Sequence, residues 1–413
     1  MKTRAVRLYG KNDLRLEEFE LAPLKKDEIR IKVISDSVCM STYKTAMQGA
    51  AHMRVPDNVA ENPVIIGHEF CAEIVEVGEK WKDAYFVGEK VVMPPVLEYL
   101  GGVDTVGYSF QEIGGVSTYS TVYGHIIENG YLMKIQSDAF FSGSLIEPAS
   151  CVLRGYKANF HLDENQNHVM GIKANGSVVI LAGCGPMGLV AIDCALHGDI
   201  KPSRVVVTDL DEARLQRAKS IFSPENAKND GIELIFTTAS DRESLLALND
   251  GKGYDDVFVY APVSAVVELA DGILGFDGCL NFFAGPTDKQ FSAQFNFYNV
   301  HYARHHVVGT SGSTVEDMRD IVRLLEEKRI DPAVMITHVG GMDAAIDTTL
   351  RLPQIPGGKK LIYTHISLPL TAIRDFQRLG ETDKRFAELA KIVENHNGLW
   401  CAEAEKYLLE HWA

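Results

Sequence analysis

The chain has 413 residues, 46% of them hydrophobic and 23% charged, with 41 basic against 56 acidic side chains and a net charge of −15. That length exceeds one ordinary core and predicts two domains, while the negative surface argues against nucleic acid or an anionic membrane as a partner. The opening MKTRAVRLYGKNDLRLEEF alternates charged and apolar residues, so neither a signal peptide nor a membrane span is expected there or further along. The seven cysteines (Cys39, Cys71, Cys151, Cys184, Cys194, Cys279 and Cys401) are scattered and form no C-x-x-C pair, which predicts free thiols in a reducing cytoplasm.

The first 150 residues read as β-rich. Ile29, Ile31 and Val33 alternate with Arg30 and Lys32, the period of a half-buried strand. Apolar runs at 64–66, 74–77 and 90–93 follow, broken by Gly and Pro as in a barrel-like domain. From Ser177 the texture changes. SVVILAG, RVVVTD, ELIFTT, DDVFVYA and CLNFFAG are buried-type strands beginning near 177, 204, 233, 255 and 279, and HVVGTSG near 306–312 predicts a sixth. Helices fit the gaps, DEARLQRAKSIF most plainly, and this alternation predicts a parallel sheet covered on both faces. TVEDMRDIVRLLEEKRI forms an amphipathic helix with Val315, Met318, Ile321, Val322 and Leu325 on one face. GGKKLIYT is expected to return to the first domain as a closing strand. At the end, Phe386, Leu389, Ala390 and Val393 mark one helical stripe and Trp400, Ala404, Tyr407 and Leu408 another, read as an appendage packed on its own domain.

Two constellations carry chemistry. In the run VVILAGCGPMG, Gly183, Gly185 and Gly188 make a G-x-G-x-x-G turn between a strand and a helix. Gly183 permits the tight turn, Gly185 lets backbone approach a pyrophosphate, and Gly188 lets helix and strand pack closely. Pro186 and Met187 open the helix whose free N–H groups face the phosphates. Such a match alone is weak, but Asp209 closes the second strand about 20 residues on, where a ribose contact is expected. A carboxylate there accepts from the ribose hydroxyls and repels a 2′-phosphate, which predicts NAD(H) over NADP(H), softened if Arg214 reaches the same place.

The other constellation is Cys39, His68 with Glu69, and Glu147. Singly, His68 reads as a buried histidine at a strand end and Cys39 as a small core residue. Glu147 is harder to dismiss, because an unpaired carboxylate in the apolar stretch LIEPASC is costly. Zinc accepts thiolate, imidazole and carboxylate together, and three protein ligands leave a position open to substrate.

The ordered segments C-M-S-T, G-H-E-F, V-G-E-K-V, I-E-P-A and A-G-C-G-P-M-G resemble the zinc-containing medium-chain dehydrogenase/reductase family over residues 1 to about 363. The resemblance implies a two-domain α/β fold: a GroES-like β-rich catalytic domain plus a Rossmann doubly wound parallel sheet, with a helical C-terminal extension. The expected boundaries are 1–150 for the first part of the catalytic domain, 151–312 for the Rossmann domain, and 313–413 for the return with its extension. It also implies Cys39, His68 and Glu147 as zinc ligands, Glu69 as a ligand or an alternate to water, and Ser41 as the hydroxyl of a proton relay. Two departures matter. Residues 93–115 lack the four cysteines of a structural zinc lobe, so one catalytic zinc per chain is expected. Thr42 and Lys44 stand where the family's relay has an aspartate and a histidine.

The C-terminal run SLPLTAIRDF…FAELAKIVE…GLW-x-AEAEKYLLE, with DSVCMSTYK, resembles the ketose-phosphate reductase branch of that family over nearly the whole chain. This implies reversible conversion of L-sorbose 1-phosphate to D-glucitol 6-phosphate by an oxidoreductase that is commonly a dimer or tetramer. A phosphorylated substrate needs local positive charge. Lys44 is the first candidate, then Arg54 with His52, and Arg304 within the cluster His301, Arg304, His305 and His306, with Arg154 further off; each could equally be a solvated or paired surface group. Two other readings stay open: a zinc dehydrogenase of an unphosphorylated polyol or amino-alcohol, and a catalytically silent nucleotide-binding redox sensor.

Overall fold

A computed structural model describes residues 1–412 of the chain. The first unit comprises Met1–Glu147 with Ile336–Ala413, and the second Pro148–Met335.

In the first unit the alternating apolar residues Ile29, Ile31 and Val33 are buried in strand Ile29–Ser37. Strand Phe70–Val77 pairs antiparallel along one edge of it, and Tyr119–Val122 and Lys359–Tyr363 share the other. The half-buried reading of this strand needs correction. Arg30, expected on a wet face, is buried, and its guanidinium donates to Thr121 Oγ1 and, at 2.7 Å, to the Ala22 carbonyl. The alternation is real, but these neighbours cover the second face and supply acceptors for the buried charge.

The closing strand arrives as GGKKLIYT suggests. Lys359–Tyr363 runs antiparallel to Ile29–Ser37, with Leu361 opposite Ser37, Ile362 opposite Asp36 and Tyr363 opposite Ser35. The return begins later than residue 313, however. Helix Val315–Glu326 belongs to the second unit, capped by Thr314. Its Asp317 accepts from Lys157 Nζ at 2.9 Å and from Arg154 at 3.3 Å, ion pairs that fasten it there. The chain re-enters the first unit at Ile336, whose strand Ile336–Gly341 pairs parallel with Lys359–Tyr363. The earlier boundary lies between Glu147 and Pro148, inside helix Ile146–Ala158.

The second unit is built on six parallel strands. Their order is Glu233–Thr237, Arg204–Thr208, Ser177–Leu181, Tyr254–Val259, Leu274–Phe282 and His306–Val308. The central strand Ser177–Leu181 is buried throughout, as a sheet covered on both faces requires. Strand order reverses between Ser177–Leu181 and Tyr254–Val259, the place where an open parallel sheet binds ligands beyond its carboxyl ends.

Helices Lys384–Asn395 and Ala402–His411 lie in the first unit and bury Leu389, Val393, Trp400, Ala404 and Leu408. A polar anchor accompanies this apolar packing. The buried Glu405 carboxylate accepts from the amides of Phe140 at 2.5 Å and Phe141 at 2.8 Å, and from the Tyr363 hydroxyl at 2.9 Å. Trp400 Nε1 donates to the same hydroxyl at 2.8 Å. No helix among the described residues is long and apolar enough to cross a membrane. Glu405→Ala would strip three buried donors of their acceptor, each worth about 1–3 kcal/mol when left dry. The urea midpoint should fall while far-UV circular dichroism is retained; an unchanged midpoint would show that apolar packing alone holds the extension.

Candidate active site

Antiparallel pairing makes the site. Where strand Ile29–Ser37 ends, its neighbours Phe70–Val77 and Lys359–Tyr363 begin. The Ser37 amide donates to the Glu69 carbonyl at 2.8 Å and the Val38 amide to the Lys360 carbonyl at 2.9 Å. Cys39, the pair His68 and Glu69, and Lys359 are thereby gathered from three distant stretches of chain. Cys39 caps helix Met40–Gln48, which then carries Ser41, Thr42 and Lys44.

Ligand atoms of Cys39, His68 and Glu69 lie within 4.8 Å of one another. Ser41 Oγ donates to Cys39 Sγ at 3.0 Å and stands 3.2 Å from His68 Nε2. Thr42 Oγ1 is 3.3 Å from His68 Nδ1, so a proton on Nδ1 donates to the hydroxyl and leaves the Nε2 lone pair free. Burial, with the Glu69 charge adding, holds the Cys39 thiol well above the usual thiol range. Burial also brings His68 down to about 4. Both groups are therefore neutral near pH 7 unless a cation joins them. A thiol, an imidazole and a carboxylate this close, with the thiol's ionisation suppressed only by burial and negative charge, are a donor set that zinc fits.

Glu69 has another partner. Lys359 Nζ donates to both of its carboxylate oxygens at 2.6 Å, and Ser37 Oγ donates to Oε2. The pair is sealed from water, with Lys359 7% and Glu69 1% exposed. Lys359 is a site residue that sequence reasoning did not single out, and a lysine heading the wholly buried strand KKLIY was its signal. Glu147 opens helix Ile146–Ala158 and is not among the three clustered ligands, although its charge acts on Cys39, Lys359 and Tyr108.

Tyr108 was also missed. It comes from the cysteine-free stretch 93–115, its ring centroid 5.1 Å from that of His68 and 5.5 Å from that of His52. The Arg54 guanidinium stands over the same ring at 5.9 Å. Neither Arg54 nor Lys44 pairs with a carboxylate among the described residues, and both are half-buried. The other cationic candidates are engaged in the second unit. Arg304 donates to Gln166 at 2.5 Å, Arg154 pairs with Asp317, His306 with Asp277 at 2.8 Å and His305 with Asp271 at 3.7 Å, while His301 packs edge-on to Tyr302.

In the nucleotide turn, helix Pro186–His197 begins directly after Gly185. A Cβ on Gly188 would lie 2.1 Å from the Gly183 carbonyl oxygen, so helix and turn meet only because Gly188 has none, whereas Gly185 faces open space. The role expected of Gly183 changes. The left-handed residue of the turn is Ala182, with φ +55°, and Gly183 is required because a Cβ would strike Ile180 Cγ2 at 2.7 Å. Asp209 stands at the end of strand Arg204–Thr208, accepting from the amides of Cys184 at 3.2 Å and Asp211 at 3.0 Å. Arg214 is drawn to Asp211 at 3.5 Å.

Residues 25–129 match the alcohol dehydrogenase GroES-like domain family and residues 186–327 the zinc-binding dehydrogenase family. The chain is 48% identical to L-sorbose 1-phosphate reductase of Klebsiella pneumoniae, over 99% of this chain and 98% of that one. It is also 48% identical to mannitol-1-phosphate 5-dehydrogenase of Aliivibrio fischeri, over 100% and 98%. Among solved structures, 2R,3R-butanediol dehydrogenase from Bacillus subtilis superposes with a TM-score of 0.70 at 22% identity, covering 88% of this chain and all of that one.

The Lys359 and Glu69 geometry predicts a stability effect separable from catalysis. Lys359→Met leaves a buried carboxylate without its cation, which costs about 3–5 kcal/mol. The urea midpoint of the metal-free protein should drop accordingly and recover in the Lys359→Met, Glu69→Gln double variant. A single variant as stable as the parent would exclude a structural role for the pair.

Proposed function

The chain belongs to the zinc-binding dehydrogenase family, and we propose that it reduces the keto group of a ketose phosphate in the cytoplasm, reversibly, with NAD(H). The reading rests above all on two cations without carboxylate partners among the described residues in a chain of net charge −15: Arg54, which stands over the ring that packs on His68, and Lys44, on the helix that Cys39 caps. The relatives at 48% identity are named for L-sorbose 1-phosphate and mannitol 1-phosphate, so a sugar phosphate is the substrate class, with L-sorbose 1-phosphate to D-glucitol 6-phosphate the first assignment.

Cys39, His68 and Glu69 would hold one zinc per chain, with Glu147 as the further carboxylate the family pattern implies. When bound, zinc supplies Lewis acidity toward a carbonyl oxygen, and the nicotinamide supplies hydride. The chain's own groups do the rest. Ser41 Oγ, within 3.0 Å of Cys39 Sγ, is the hydroxyl that hands a proton to the oxygen of the reduced carbon. Thr42 keeps His68 in the tautomer whose Nε2 can serve as a ligand. Lys44 and Arg54 bind the phosphate, while Arg304 already carries Gln166. Gly183, Gly185, Pro186, Met187 and Gly188 receive the pyrophosphate. Asp209 accepts from the ribose and favours NAD(H) over NADP(H), with Arg214 diverted to Asp211.

The deciding assay follows oxidation of NADH, and separately of NADPH, by the zinc-loaded protein with L-sorbose 1-phosphate or free L-sorbose. The expected result is a kcat/KM advantage for the ester and for NADH, with Lys44→Ala raising KM for the ester much more than for the free sugar. Turnover of the free sugar alone would move the protein among polyol dehydrogenases, and binding of NADH without zinc or turnover would favour a redox sensor.

We also propose that the protein is a homo-oligomer, a dimer or tetramer. The outer strand His306–Val308 has a neighbour on one side only, and Val307 on it is 55% exposed. Sedimentation should give a dimer or larger, reduced by Val307→Lys; a monomeric parent would end the idea.

A further inference from the structure

The stretch 93–115, noticed in the sequence only for its missing cysteines, delivers one buried side chain into the site. A bridge between Val96 and Thr105 closes it, and the Val106 amide donates to the Pro95 carbonyl at 2.9 Å. Gly107, at φ +81°, presses its backbone against the turn before His68, where a Cβ would lie 2.2 Å from the Gly67 carbonyl oxygen. Tyr108 follows and is 3% exposed. Its backbone is tied by its amide donating to the Thr105 carbonyl at 3.1 Å. The next residue, Ser109, donates its hydroxyl to the Arg54 carbonyl at 2.7 Å, and the Arg54 amide donates to His52 Nδ1 at 3.2 Å. The loop of His52 and Arg54 and the segment of Tyr108 are thus fastened to each other.

The Tyr108 side chain meets both ends of the site. Toward the ligand group, its ring lies against His68 at 5.1 Å. Toward the cations, the same ring lies against His52 at 5.5 Å and under the Arg54 guanidinium at 5.9 Å. A substrate with a carbonyl at one place and a phosphate at another must span a fixed distance, and hydride transfer tolerates little misplacement. Rigid aromatic rings hold such distances at low entropic cost, and a cation above a ring keeps its place without a carboxylate that would repel phosphate.

Building on the sugar-phosphate reading, we propose that Tyr108 is a positioning residue that couples the two ends: its ring, packed on His68, sets Arg54 at the spacing that selects a phosphate ester over the free sugar. In this role the ring serves only a substrate that carries a phosphate, and the hydroxyl is not needed for it. Two substitutions separate the ring from the hydroxyl.

Tyr108→Phe keeps the ring and loses the hydroxyl. The preference for L-sorbose 1-phosphate over free L-sorbose, as a ratio of kcat/KM, should not change. Tyr108→Leu loses the ring as well. The ester-to-sugar ratio of kcat/KM should then fall by about 3- to 30-fold, the range of a cation–π contact. Calorimetric binding of L-sorbose 1-phosphate should weaken in the Leu variant and hold in the Phe variant, with zinc content at the parent level in both. Leu with the parental ester preference, or Phe with a preference reduced as far as in Leu, would overturn the proposal. So would a Leu variant that no longer retains zinc, because the ring would then be serving His68 alone. A parent enzyme with no preference for the ester would defeat the sugar-phosphate reading itself, whereas a parent with that preference and a Leu variant that keeps it would defeat only the role of Tyr108.

Discussion

The ion pair between Lys359 and Glu69 is the interaction on which the site depends. It spans 290 residues of sequence and lies in a region from which water is excluded. A buried pair of this kind adds little net stability over an apolar substitute, but it is intolerant of losing one member. In the register the returning strand adopts, Lys359 meets Glu69. That register also sets Leu361 opposite Ser37 and brings the Lys360 carbonyl to the Val38 amide, one residue before Cys39. The thiol, the imidazole and the carboxylate are held together because the last part of the chain closes over the first.

Burial then decides the chemistry of the donors. With the Cys39 thiol held well above its ordinary range and His68 down to about 4, these two donors carry no charge of their own, and Glu69 is matched by Lys359. This is an environment in which a divalent cation is strongly felt, since few competing charges and little water screen it. Thr42 stands where the family's relay has an aspartate, so His68 is oriented without another negative charge. Positive charge is instead left available on Lys44 and Arg54. The second unit shows the same economy: Asp209 accepts from the amide of Cys184 within the glycine turn, so the acid suited to ribose also holds the turn that would hold the pyrophosphate.

Much of this was legible in the chain as text. The six strands of the second unit announced themselves because a parallel sheet covered on both faces needs uninterrupted apolar runs. Asp209 could be located because the distance from glycine turn to second strand is set by one helix. The short segments that carry Cys39, His68 and Glu69 were recognisable, but the same pattern put Glu147 with them, and the structure does not bring it into the cluster. Local pattern misled where a distant segment supplied cover. Arg30 looked solvated because alternation reports one strand and cannot report that Thr121 on the paired strand and the Ala22 carbonyl supply acceptors for it. The return of the chain looked to begin at 313 because an amphipathic helix shows that it packs without showing on what; Asp317, paired with Arg154 and Lys157, decides it.

The sequence by itself determined the class of fold, and it located the glycine turn with Asp209 and the segments of Cys39, His68 and Glu69, since each depends on residue types a few positions apart or on the period of a single element. Only the tertiary structure decided that Lys359 neutralises Glu69, that Tyr108 joins His68 to Arg54, and which cations are left without a carboxylate partner among the described residues. Those are contacts between residues whose separation along the chain bears no relation to their separation in space, and a charge left unpaired can be recognised only when every possible partner has been placed.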